Sequence, residues 1–103
     1  MFNHIDVFKF KSTVSESEIT SALNQLGELK KEIPSMTHFS FGKDCSTESL
    51  NKGFTHAALF IFQDKAGRNA YMKNPEHHRI AKEVVVPLLE NGFESLIVID
   101  YEY

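Results

Sequence analysis

The chain has 103 residues, 42% hydrophobic and 24% charged, with a formal net charge of -3. This is one ordinary globular domain, not a disordered segment. The composition also excludes several classes. No apolar run approaches the ~20 residues of a membrane span. Met1-Phe2-Asn3-His4-Ile5-Asp6 lacks the basic start and apolar stretch of a signal peptide. The lone Cys45 cannot form an internal disulfide, and the acidic balance disfavours nucleic acid and anionic membranes. A cytoplasmic protein is expected.

Residues 2–11 carry Phe2, His4, Phe8 and Phe10 on one face and Ile5 and Val7 on the other, the period of two of a strand. Ser15 and Glu18 fit a capping box, with Val14 and Ile19 as a hydrophobic staple. Ile19, Ala22, Leu23, Leu26, Leu29 and Ile33 then recur at helical spacing until Pro34. Residues 36–44 read as a second strand, with Thr37, Phe39 and Phe41 on its inner face. Residues 45–53 read as a polar loop, and 54–62 as a strand apolar on both faces. Asp64 can cap a short helix to Lys73. Asn74 and Pro75 then suit the cap and first position of another, carrying Ile80, Ala81, Val84, Val85, Leu88 and Leu89. Pro87 kinks or ends that helix, Asn91-Gly92 closes it, and residues 93–101 form the last strand.

The order β-α-β-β-α-β points to an α+β fold, the ferredoxin-like sandwich with strand order 4-1-3-2 and helices on one face. The other face would carry Ile5, Val7, Leu59, Ile61, Ile97 and Ile99. That patch matches or exceeds the ~300–600 Å² typical of the largest monomer patches. A second copy packed sheet on sheet would cover it, so a homodimer is expected.

The helix-facing side is where chemistry is sought. His4, Asp6 and Phe8 come from the first strand and His56, Ala58 and Phe60 from the third. Thr37, Phe39 and Phe41 come from the second, and Leu96, Val98 and Asp100 from the fourth. A buried carboxylate without a partner is costly, so Asp6 beside His4 suggests a shared proton. The Asn74-Pro75 break can bring Tyr71 and His77 together. A histidine at a helix N-terminus tends to be neutral and able to accept a proton, and a tyrosine beside it can bind a substrate oxygen. The bland alternative leaves Tyr71 at the core edge and His77 in solvent.

Four stretches, in order, resemble the stress-responsive dimeric α+β barrel domain (Dabb) family. They are His4 through Lys11, Gly42-Lys43-Asp44 with Gly53-Phe54-Thr55-His56, Tyr71 through His77, and Ile99-Asp100-Tyr101. The resemblance implies a ferredoxin-like protomer, a barrel dimer and a pocket between sheet and helices. One plant member of that family is a polyketide cyclase that performs an intramolecular aldol reaction without metal or organic cofactor. By that resemblance His77 would be the base, Tyr71 its oxygen-binding partner, and His4 and His56 polar groups of the pocket. Asp6, Phe8, Phe39, Phe41, Ala58, Phe60, Leu96 and Val98 would line it. The chain departs from the pattern at Asn74, which replaces a histidine, and at Asp6, which replaces an aliphatic residue.

Four functional readings stand. One is a cofactor-independent acid-base enzyme acting on a small carbonyl compound, cyclase-like or not. Another is a non-catalytic pocket for a small apolar or aromatic ligand. A metal centre of His4, His56, His77 and Asp6 lacks any close sequence spacing to support it, so no metal is assigned. An RNA-binding strand beginning Lys52-Gly53-Phe54 fails at Thr55 and His56.

Overall fold

The computed structural model describes residues 1–103. Its strands are β1 (Phe2–Phe8), β2 (Met36–Lys43), β3 (His56–Phe62) and β4 (Leu96–Glu102). Its helices are α1 (Glu16–Glu28), α2 (Lys65–Lys73) and α3 (Pro75–Ile80). The strands form one antiparallel sheet in the order β2-β3-β1-β4. This is the expected 4-1-3-2 arrangement, with β1 and β3 as central neighbours.

The local signals explain the elements. Ser15 Oγ accepts from the Glu18 amide and Glu18 reaches back to the Ser15 amide, closing the capping box of α1. Asp64 caps α2 through the Gly67 amide. Asn74 ends α2 and starts α3: its Oδ1 accepts from the amides of Glu76 and His77 at 2.8 and 3.1 Å. Pro75 occupies the first turn of α3, where no amide hydrogen is required. Beyond α3 the chain widens into a π-helical turn at Ala81–Val85 and tightens into a 3-10 turn at Val86–Leu88 around Pro87. Between sheet and helices lies one apolar core in which Phe8, Leu23, Met36, Phe60, Phe62, Tyr71 and Leu89 are fully buried.

Several boundaries differ from the sequence reading. β1 ends at Phe8, and Phe10 continues only as an isolated bridge to Leu89. The last strand starts at Leu96, not Phe93, because a 3-10 turn occupies Gly92–Ser95 and leaves Phe93 exposed. A register shift between Met36 and His38 turns Met36 into the core in place of Thr37, which is exposed. Phe39 and Phe41, opposite Phe60 and Ala58, keep the helix-facing side as expected. Cys45 lies exposed in the loop after β2.

Candidate functional site

Two positions apart on β1, His4 and Asp6 share the helix-facing side. Across the sheet, His4 stands opposite Phe60 on one side and Asp100 on the other. The antiparallel register therefore brings a carboxylate to the imidazole from the far end of the sequence. His4 Nδ1 lies 2.6 Å from Asp100 Oδ1, and Arg68 of α2 donates to Asp100 Oδ2 at 2.7 Å. His4 Nε2 lies 3.0 Å from Asp6 Oδ1. That contact is an ion pair out of line with a hydrogen bond, since Asp6 Oδ1 is buried without a hydrogen-bonding partner. Burial pulls the His4 pKa down, but Asp6 and Asp100 together outweigh it and the net displacement is upward. Guanidinium, carboxylate, imidazolium and carboxylate thus alternate across the sheet.

Beside this chain of charges sit Tyr71 and His77. Tyr71 is fully buried among Phe60, Phe62 and His4, with ring centroids 5.2, 5.5 and 5.9 Å away. Capping by Asn74 folds the next turn back so that the His77 ring lies 4.1 Å from the Tyr71 ring, tilted by 38°. The Tyr71 hydroxyl and His77 Nδ1 are both buried without a hydrogen-bond partner. Burial, then the charge of Asp6, keeps Tyr71 well above the usual phenol range, so it remains a donor. Burial, then His78, lowers His77 to about 4, so it is neutral near pH 7.

His56 belongs elsewhere. It pairs with Phe8, four positions along β1 from His4, roughly 13 Å at strand spacing. Both its nitrogens are engaged, Nε2 with Glu16 Oε2 at 2.9 Å and Nδ1 with Thr55 Oγ1 at 2.8 Å. The His56 contact holds the Glu16 carboxyl below the usual range. This pair borders a cleft of about 570 Å³ that also meets Phe10, Lys11 and Lys43. His4, Asp6 and His77 therefore do not meet His56 as a four-ligand metal centre.

The apolar residues assigned to the pocket divide by position. Phe8, Ala58 and Phe60 are closed into the core, and Phe39 packs on Phe60 at 4.9 Å. Phe41 and Leu96 are half-buried. Val98, opposite Asp6 on the edge strand, is 50% exposed. Tyr71 and His77 line none of the five principal cavities. Aromatic rings occupy the surroundings of Tyr71. Sequence reasoning did not connect Arg68 or Glu16 to either histidine. Their only signal was charge on a helix, and the pairing comes from cross-sheet register and helix docking.

The fold and these side chains define a class: a ferredoxin-like α+β protein with histidine, tyrosine and carboxylate groups gathered between sheet and helices. The family model for the Stress responsive A/B Barrel Domain (Dabb) matches residues 2–103, and the chain belongs to that family. The chain is 29% identical to the stress-response A/B barrel domain-containing protein HS1 of Arabidopsis thaliana, over 96% of this chain and 86% of that protein. It is 24% identical to olivetolic acid cyclase of Cannabis sativa, over 95% and 92% of the two chains. A dimeric ferredoxin-like protein of Jannaschia sp. CCS1 superposes with a TM-score of 0.88 at 26% identity, over 99% of this chain and 98% of that one. The hydroxynitrile lyase of Passiflora edulis superposes with a TM-score of 0.81 at 27% identity, over 97% and 90%.

Proposed function

We propose that the chain works as a two-fold dimer and that each protomer binds a small carbonyl compound at Tyr71 and His77, where a proton can be moved without a cofactor. The observation that carries this reading is a pair of buried polar atoms without hydrogen-bond partners, Tyr71 Oη and His77 Nδ1, on rings 4.1 Å apart. Each costs the fold about 1–3 kcal/mol while it lacks a partner. A ligand oxygen and an acidic C–H beside it would satisfy both. Neutral His77 takes the proton from the carbon next to the carbonyl. The buried phenol of Tyr71 donates to the oxygen as negative charge grows there. That growing charge in turn favours the imidazolium, offsetting the desolvation that lowers the His77 pKa. The likeness to a cyclase and a lyase of small molecules supports this reading. The dimeric relative and the apolar outer face of the sheet support the dimer.

Hydrogen–deuterium exchange at the methyl group of acetophenone, followed by proton NMR in D2O, tests the chemistry. The protein should accelerate exchange over buffer, and His77→Ala should reduce the acceleration by about 10²-fold or more. Binding of acetophenone at His77 with exchange no faster than in buffer would remove the proton transfer and leave a binding site. No binding at all would remove the site.

A further inference from the structure

The site holds a third buried polar atom without a hydrogen bond, which the proposed chemistry leaves unused. Asp6 is only 8% exposed, and its Oδ1 has no hydrogen bond although His4 Nε2 lies 3.0 Å away. A carboxylate placed in this way normally captures a donor from the protein. Here the neighbouring donors are committed or misaligned. His4 Nδ1 and Arg68 are taken by Asp100, and Tyr71 makes no hydrogen bond. Asp6 is close enough to Tyr71 and His77 for its charge to act on both.

We propose that Asp6 is a specificity-determining acceptor that selects hydroxy-carbonyl compounds, whose hydroxyl group donates to the Asp6 carboxylate while Tyr71 and His77 take the carbonyl side. The inference rests on the binding site described above and adds the class of ligand. A hydroxyl suits this place better than the alternatives. A hydrocarbon tail would leave the acceptor buried and unpaired. A cationic group would be repelled by the His4 imidazolium, 3.0 Å from Asp6 Oδ1. A hydroxyl adds a donor without adding charge. The proposed entry is at the sheet edge, where Val98 stands directly across from Asp6 and is half exposed on the same face.

Three probes that differ in one group test the idea: acetophenone, phenacyl alcohol and phenacyl methyl ether. Dissociation constants are measured by NMR titration of the dimer. Phenacyl alcohol should bind at least about tenfold more tightly than the other two, the worth of one hydrogen bond to a charged group. In Asp6→Leu, which removes the acceptor, that preference should fall below about twofold, or reverse. Asp6→Asn keeps the shape and should fall between, so a folding defect in the leucine variant does not decide the outcome. Equal affinity for the three probes in the wild-type protein overturns the role of Asp6 and leaves the carbonyl site standing. Failure of every probe to bind removes the site and this inference with it.

Discussion

At the scale of single residues, the two histidines beside Tyr71 are driven in opposite directions by their surroundings. His4 faces Asp6 and Asp100 and is displaced upward, whereas His77 faces burial and His78 and is lowered to about 4. The linkage signs follow from these shifts. His4 contributes stability below its unfolded value, and the contribution is lost as pH rises through its raised folded value. His77 does the reverse: between about 4 and its ordinary 6.5 the unfolded chain takes up a proton that the folded chain refuses. Stability attributable to His77 therefore falls as pH is lowered across that window. His77→Gln should flatten the dependence of melting temperature on pH between 6.5 and 4. Identical slopes in the two proteins would show that His77 is not held neutral by the fold. For His4 the window lies above 6.5, where the folded chain holds a proton that the unfolded chain has released, and there His4→Asn should remove a stability that declines as pH rises.

Among the elements, the junction between α2 and α3 has most influence on the site. Asn74 serves as the end of one helix and the cap of the next, and the His77 amide is one of its two donors. The residue that starts the helix therefore also sets where the imidazole falls relative to Tyr71. Asn74→Ala should cost about 1 kcal/mol, the usual loss for an N-cap, read from urea denaturation. It should also move the His77 ring signals in the NMR spectrum. Asn74→Asp retains an acceptor oxygen and should preserve both. A stable Asn74→Ala protein with unshifted His77 signals would show that Pro75 and the packing of Ile80 suffice to position the turn. The preceding element matters as well: Gly67 of α2 packs so close to Ser35 that a Cβ there would collide with its Oγ. That close approach seats α2, and with it Arg68 and Tyr71, against the sheet.

The molecule as a whole presents a compact protomer, with a radius of gyration of 13.4 Å, close to that expected for about 100 residues. Its core is closed on the helix side only. On the opposite side Ile97, Ile99 and Tyr101 are 40%, 54% and 50% exposed, beside half-buried Ile5, Val7, Leu59 and Ile61. A contiguous apolar surface of this kind calls for a partner surface, and an identical sheet offers one of matching chemistry. Ile99→Glu should therefore convert a dimer to a monomer in sedimentation velocity at micromolar concentration, while far-ultraviolet circular dichroism stays unchanged. A wild-type protein sedimenting as one chain at that concentration would refute the dimer. No helix is long and apolar enough to cross a membrane.

Much of the architecture was legible before any coordinates, because its causes are local. Period-two alternation marked the strands, Ser15, Asp64 and Asn74 marked the helix starts, and apolar residues on both faces of β3 marked a sheet with a second apolar face. The strand order followed from the element order. Boundaries set by nonlocal forces were not legible: the shift that turns Met36 inward, and the 3-10 turn that delays β4 to Leu96. The candidate site divides in the same way. Residue types and the Asn74-Pro75 break nominated His4, Asp6, Tyr71 and His77, and their gathering depends on strand and helix docking. Only the three-dimensional fold joined Asp100 and Arg68 to His4 across 96 and 64 positions of sequence and sent His56 to Glu16 instead. The physical reason is that hydrogen bonds and desolvation act over a few ångströms. Spacing along a chain determines which face a side chain occupies, whereas register and docking determine what it meets there.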